Sequence, residues 1–117
     1  MKFKFEKFII WQKTMDFGED INDLSEKFPP KEKYNLTDQI RRAVDSIALN
    51  ISEGAIGQSV PESRKFIGYA IRSLAETVTC LYKAKRRSYI SEIEFTDNYE
   101  FAFNLMNMTV AFRDKMK

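Results

Sequence analysis

The chain has no histidine and only one cysteine among its 117 residues. Without histidine, a Ser-His-Asp or Cys-His arrangement and any histidine metal site are excluded. The lone Cys80 excludes an internal disulfide and a cysteine-based zinc cluster, and it is typical of a reducing compartment. A glycine-rich phosphate loop and a Glu-x-x-His metal motif are also missing. We therefore expect no catalytic residue, no metal and no cofactor, and hence a non-enzymatic protein.

Glycine and proline are scarce as well, with 4 and 3 residues. They leave little material for the turns of an all-β fold. No run approaches the roughly 18 apolar residues that span a bilayer. The N-terminal stretch "MKFKFEKFII" has no cleavage-site pattern, so we interpret it as the start of a helix and expect a cytoplasmic protein that makes no membrane contact.

The composition of the chain is that of a protein that folds. Hydrophobic residues make up 44% of the chain and aromatic residues 14%, which is typical of a globular protein. The length predicts one domain over residues 1–117 with one core. Lysine and arginine number 19 and acidic residues 17, for a net charge of +2. That balance neither requires nor excludes nucleic-acid binding. Only the distribution of the charges along the chain can favour or disfavour such binding.

Three breaks divide the chain into four segments of helical length. They fall at Pro29-Pro30, at residues 54–59 and near residues 86–91. Ser59 with Glu62, and Ser91 with Glu94, have the spacing of a capping box, which predicts the starts of the third and fourth helices. Thr37 is the predicted N-cap of the second helix and Gly57 its left-handed stop. Short connections between long helices predict an all-α, up-down-up-down four-helix bundle.

Acidic residues collect on one side of the first helix, which we place over about residues 5–27 from its 3.6-residue period. A solvated face is one interpretation of them, and paired catalytic or metal-binding carboxylates are the other. Nothing apolar surrounds these side chains in the pattern to raise a pKa, which favours the solvated face. The residues are Asp16, Glu19, Asp20, Asp23 and Glu26.

Basic residues collect at Lys83, Lys85, Arg86 and Arg87, which end the third helix. The helix dipole favours cations at that position, and the same cations could neutralise the phosphates of a nucleic acid.

Arg41 and Arg42 also admit two interpretations. They can pair along the helix, Arg41 with Asp45 and Arg42 with Asp38. Alternatively, they can contact a neighbouring subunit or a phosphate, for which the planar guanidinium is suited.

Two residues of the second helix indicate close helix packing. Asn50 lies at the border of the apolar stripe, where a half-buried amide fixes the register between helices more often than it binds a ligand. Gly54 falls within the apolar arc, where it costs about 1 kcal/mol of helix propensity. We therefore predict that another helix approaches closely at Gly54.

The apolar stripes of the third and fourth helices are wider than a monomeric bundle needs. Self-association is the simplest way to bury them, although the same stripes could bind a different protein. The candidate interface residues are Leu49, Ile56, Ile67, Ile71, Val78, Phe101, Leu105, Met108 and Phe112.

The stretches "FPPKEKYNLTDQIRRAVDSIALNISEG" (28–54) and "ESRKFIGYAIRSLAE" (62–76) resemble a known bacterial family. Its members are four-helix-bundle proteins encoded in intervening sequences of large-subunit ribosomal RNA genes, and many carry a ribosomal-protein label. The accessory variability determinant of diversity-generating retroelements is a distant relative. The resemblance implies a homopentameric ring. In the retroelement relative, a basic ring is thought to engage nucleic acid and a reverse transcriptase.

Two functions follow as hypotheses from these observations. The first is a homo-oligomeric assembly or scaffold protein for a macromolecular partner. The second is an RNA- or DNA-binding accessory factor that contacts phosphates through Arg41, Arg42 and the Lys83–Arg87 cluster. Binding that weakens steeply with salt would distinguish the second hypothesis from the first.

Overall fold

The computed structural model describes all 117 residues and contains four α-helices and no strand. The all-α prediction is therefore confirmed. The first helix begins later than predicted, because Lys4–Lys7 form a separate 3-10 turn before it. A second 3-10 turn, Pro30–Glu32, lies in the connection after it. The α-helices are α1 (Ile9–Ser25), α2 (Leu36–Ala55), α3 (Val60–Arg86) and α4 (Glu92–Asp114).

Contacts near the helix ends show that neighbouring helices are antiparallel. Arg64, in the first turns of α3, donates from Nη1 to the carbonyl oxygen of Arg113 at the end of α4, at 2.7 Å. Lys27, just after α1, pairs with Glu94 in the first turn of α4. The helices contact one another in the order α1, α2, α3, α4 and back to α1. This arrangement is the predicted up-down-up-down bundle.

All four helices contribute to one core of 20 buried apolar residues. Apolar residues spaced three or four apart place one side of each helix inward. The Phe17 ring of α1 stacks on Phe101 of α4 with ring centroids 5.2 Å apart. Cys80 lies in the same core, and burial raises the pKa of its thiol above the ordinary 9.0. The thiol therefore stays protonated and fills space.

The predicted helix starts at Ser59 and Ser91 are confirmed. The Ser59 hydroxyl accepts the Glu62 backbone N–H with an N···O distance of 3.2 Å. Ser91 and Glu94 form a complete capping box, in which each side chain accepts the other residue's backbone N–H at 3.1 and 2.8 Å. These bonds satisfy amide groups that have no partner within the helix.

The predicted ends of α2 are wrong in detail. Asn35, not Thr37, occupies the N-cap, and its side chain makes no capping bond. The Glu32 carboxylate from the preceding turn lies 3.5 Å from the Leu36 backbone nitrogen and replaces the missing cap. Gly57 has no positive φ, because a tightened last turn ends the helix, with the Gly57 N–H donating to the Gly54 carbonyl oxygen at 3.4 Å. Positive φ occurs instead at Ser88, at 62°, in the α3–α4 connection.

None of the four helices combines the length and the apolar composition that a membrane crossing requires.

Candidate interaction surfaces

An apolar strip that we call the α3–α4 seam runs along the outer side of these two helices. A groove of about 240 Å³ between them has only apolar side chains in its wall. Phe103 is 53% exposed and Tyr82 is 45% exposed, although the two rings Tyr82 and Tyr99 touch edge to face. The seam consists of Val78, Tyr82, Tyr99, Phe103 and Met106.

The structure separates the predicted interface residues into three groups. Ile67 and Leu105 are buried inside the chain itself, so their assignment to an oligomer interface is wrong. The helices α3 and α4 each pack against two neighbours, and the core therefore uses more of their circumference than we assumed. Leu49 and Ile56 are both 65% exposed. The remaining five are half-buried against the core, namely Ile71, Val78, Phe101, Met108 and Phe112.

Sequence reasoning missed Phe103, the most exposed side chain of the seam. Apolar residues occur all round α4, so the 3.6-residue period does not single out Phe103 as an exposed position. The sequence showed only that the apolar surface of α4 is broad. It did not show which part of that surface the other helices cover.

A second exposed groove lies between α1 and α2, and we call it the α1–α2 groove. Its volume is about 300 Å³. Small residues Gly18 and Ala48 form part of its wall, with Met15 and Leu49 beside them. Met15 is 45% exposed. Because the helices follow one another around the bundle, this groove and the α3–α4 seam lie on opposite sides of the molecule.

The acidic face of α1 borders the α1–α2 groove. All five predicted carboxylates are exposed, as a solvated face requires. Only Glu26 has an ion-pair partner, Arg41 of α2, with 3.2 Å between Glu26 Oε1 and Arg41 Nη2. No group of three or more cysteine, aspartate or glutamate residues is placed to hold a metal ion.

The basic run at the end of α3 belongs to a larger basic surface at one end of the bundle. Within the run, Lys85 pairs with Glu92, with Nζ and Oε1 3.1 Å apart, and Arg87 pairs with Glu32. Lys83 and Arg86 are exposed and have no ion-pair partner. The α1–α2 connection adds Lys31 and Lys33, because Glu32 between them bonds to Arg87 and Tyr89. We call the surface the basic pole, and it consists of Lys31, Lys33, Tyr34, Lys83 and Arg86.

Glu32 joins the two connections at this pole. Its buried carboxylate accepts a hydrogen bond from the Tyr89 hydroxyl at 2.6 Å and another from Arg87 Nη1 at 2.9 Å. The bond from Tyr89, followed by smaller contributions from the Leu36 backbone and Arg87, holds the pKa of Glu32 below 4.5 despite its burial. The same bond raises the pKa of Tyr89 above 10.0. Glu32 lies in a connection between two predicted helices, where no helical period applies. The sequence therefore did not indicate that Glu32 is buried or bonded.

Arg41 and Arg42 have different surroundings. Arg41 crosses to α1, where its Nε donates to the Ser25 hydroxyl at 2.7 Å, so the predicted Arg41–Asp45 pair is wrong. Arg41 follows the buried Ile40 and points toward α1 instead of along its own helix. The predicted Arg42–Asp38 pair is confirmed, with 3.1 Å between Arg42 Nε and Asp38 Oδ2. The Arg42 side chain remains 80% exposed.

Two serine hydroxyl groups join α2 to α3, and the two helices approach each other closely at Gly54. Ser46 and Ser73 hydrogen-bond across the helices, with their Oγ atoms 3.0 Å apart. Asn50 donates from Nδ2 to the Ser46 carbonyl and hydroxyl at 2.8 and 2.9 Å, so it reaches α3 only through Ser46. A Cβ atom on Gly54 would lie 3.0 Å from Ile67 Cδ1, which confirms the predicted close approach.

These features define a small antiparallel four-helix bundle whose distinctive surfaces are an apolar seam, an acidic groove and a basic pole. The chain belongs to the 23S rRNA-intervening sequence protein family, whose model matches residues 6–111. The family expected from the sequence resemblance is thereby confirmed.

A crystal structure of a similar bundle supports the fold. It is a protein with unknown function from the S23 ribosomal protein family from Bacteroides thetaiotaomicron. The TM-score is 0.83 at 21% sequence identity, with 90% of this chain and 98% of that chain covered. No curated protein matches this chain.

Proposed function

We propose that the protein is a non-enzymatic homo-oligomer that acts as an assembly or scaffold for a macromolecular partner. The α3–α4 seam carries this proposal. Phe103 and Tyr82 each expose about half of their surface beside a groove with entirely apolar walls. Soluble monomers rarely expose a contiguous apolar patch of more than a few hundred Å², and each Å² buried contributes about 25 cal/mol to association.

The position of the seam supports a ring. A ring requires two different contact surfaces on each subunit, so that every subunit touches two neighbours. The α3–α4 seam and the α1–α2 groove lie on opposite sides of the bundle, and both contain exposed apolar side chains. Five subunits are the number implied by the family resemblance.

A glutamate in the seam should dissociate the assembly. We expect the wild type to have several times the 13.8 kDa mass of one chain by light scattering. Phe103→Glu should shift it to the protomer mass at micromolar concentration, because a charge buried in an apolar contact is strongly unfavourable. Ile93→Glu, a change at a 72% exposed site outside the seam, should leave the mass unchanged. A wild type that sediments as a protomer would contradict the proposal.

A second candidate function, RNA binding, is favoured by the basic pole. Four of its side chains are cations without an ion-pair partner, and its Tyr34 is 87% exposed. Lysine and arginine on an open surface bind phosphates and release counterions, and an exposed aromatic ring can stack on a base. Arg42 lies on α2 outside the pole, and Arg41 is occupied by its contacts to α1.

The triple variant Lys31→Glu, Lys33→Glu, Lys83→Glu tests this second function. It should weaken binding to a short unstructured RNA more than tenfold at low salt. It should also lower the slope of log affinity against log salt by about 0.7 for each lost phosphate contact. The matched control is Lys65→Glu, Lys115→Glu, Lys117→Glu, which makes the same change in charge at exposed sites near the other end of the bundle. Equal loss in both variants would mean that net charge alone, and not the basic pole, attracts the RNA.

A further inference from the structure

We propose that the N-terminal segment of one copy, residues 1–8, docks in the α1–α2 groove of a neighbouring copy. This inference rests on the homo-oligomer proposed above and names a further contact between its subunits, in addition to the one at the α3–α4 seam. Its basis is the complementary charge of two surfaces of this chain. The lysines of one surface and the carboxylates of the other are exposed and form no ion pair within the chain.

The N-terminal segment is basic and apolar. Its lysines make no ion pair within the chain. Phe3 is 64% exposed and Met1 75% exposed, and the neighbouring Ile9 is 59% exposed. The cations are Lys2, Lys4 and Lys7, together with the terminal amine.

The α1–α2 groove has the opposite charge and a wall that suits apolar side chains. Glu19 and Asp45 line it, and Asp16 and Asp20 extend the acidic surface along α1. None of these carboxylates has an ion-pair partner in the chain. Met15 and Leu49 offer apolar contact area at the same place.

Glycine at position 18 is consistent with a docked partner. A Cβ atom there would meet nothing within 4 Å in the chain itself, so packing inside the subunit does not require glycine. In an exposed helix, glycine is less favourable than alanine by about 1 kcal/mol. The missing side chain deepens the groove beside Ala48, which makes room for an aromatic ring such as that of Phe3.

The segment lies away from the groove of its own subunit, at the end of the bundle where Lys4 and Phe8 adjoin Gly57 and Met116. Local hydrogen bonds hold it in this position. The Phe8 N–H donates to the Phe5 carbonyl at 2.9 Å, and Gln12 Nε2 donates to the Glu6 carbonyl at 2.8 Å. The Phe5 ring also packs on Trp11, with centroids 5.2 Å apart. The segment is therefore ordered in advance, which lowers the entropic cost of docking on a neighbour. Since segment and groove are different surfaces, the contact is heterologous and can close a ring.

A charge-swap experiment on the full chain tests the contact. Variant A carries Lys2→Glu, Lys4→Glu and Lys7→Glu, and variant B carries Asp16→Lys, Glu19→Lys and Asp45→Lys. Each variant alone should associate at least tenfold more weakly than wild type by sedimentation, because like charges then face each other. The chain that combines all six changes, and an equimolar mixture of A and B, should regain assembly.

Matched controls separate this contact from a general effect of charge. The control for A is Lys31→Glu, Lys33→Glu, Lys83→Glu, and the control for B is Glu53→Lys, Glu76→Lys, Asp97→Lys. Both should assemble as wild type does, and far-UV circular dichroism should show that every variant is folded.

The possible failures are distinguishable. If wild type assembles and variants A and B assemble equally well, the docking inference is overturned while the homo-oligomer stands. Failure of the six-fold variant and of the mixture to regain assembly would also overturn it. A monomeric wild type would overturn the homo-oligomer itself.

Discussion

Gly54→Leu is expected to destabilise the bundle by about 3 kcal/mol through overpacking. Even a Cβ atom at this position would lie 3.0 Å from Ile67 Cδ1 and 3.2 Å from the Ser63 backbone carbonyl oxygen. Ile67 is fully buried, so its side chain has little room to turn away, and the Ser63 carbonyl oxygen is part of the α3 backbone. Urea unfolding, with wild type and variant at the same protein concentration, would measure the loss.

Gly68→Leu provides the matched control for this prediction. Gly68 lies inside α3, where a Cβ atom would meet nothing within 4 Å. Leucine is a better helix former than glycine, so this variant should equal or exceed wild type in stability by up to about 1 kcal/mol. Similar losses at both glycines would show that the α2–α3 contact is not the tight point of the bundle.

Glu32→Gln is expected to lower the stability of the protein at pH 7, because it weakens the contact between the α1–α2 and α3–α4 connections. It should also change how stability depends on pH. The folded-state pKa of Glu32 lies below its ordinary 4.5, chiefly because the Tyr89 hydroxyl bonds to the carboxylate. The ionised form therefore stabilises the folded state above pH 4.5, and this contribution is lost as pH falls through the folded-state pKa. Wild type should lose unfolding free energy on acidification below pH 4.5, and Glu32→Gln should lose less while being less stable at pH 7.

Glu94 is the comparison for that experiment. Its pKa is also lowered, first by its bond to Lys27 and then by the Ser91 backbone, so it contributes in the same pH window. Glu94 is more exposed than Glu32, and solvent screens its ion pair. We expect Glu94→Gln to be the milder change at pH 7. If the two variants are equally stable at pH 7, Glu32 does not hold the two connections together.

Tyr89 also stabilises the folded state, but its contribution is lost at high pH instead of low pH. Its pKa is raised, first by its hydrogen bond to Glu32, so the neutral phenol is favoured in the folded state. That stabilisation is complete below pH 10 and declines as pH rises through the folded-state pKa. Tyr89→Phe should therefore flatten the alkaline loss of stability, which urea unfolding across that pH range would reveal.

Much of the architecture followed from local signals in the sequence. Apolar spacing identified four helices, and Ser59 and Ser91 marked two helix starts, because a cap and the amide it satisfies lie three residues apart. Gly54 within an apolar stripe indicated a close helix contact, since few other reasons place glycine there. The residues around it also identified the family, which the match over residues 6–111 confirms.

The tertiary structure alone decided which residues are joined across the bundle and which apolar surface stays exposed. Glu32 meets Arg87 and Tyr89 from 55 and 57 residues away, and no periodic pattern encodes such a pairing. Wide stripes on α3 and α4 showed an excess of apolar surface. Only the packing of each helix against two neighbours decided that Ile67 and Leu105 lie inside and Phe103 outside. The physical reason is range, because helix periodicity and capping act within one or two turns, whereas burial depends on where distant segments come to lie.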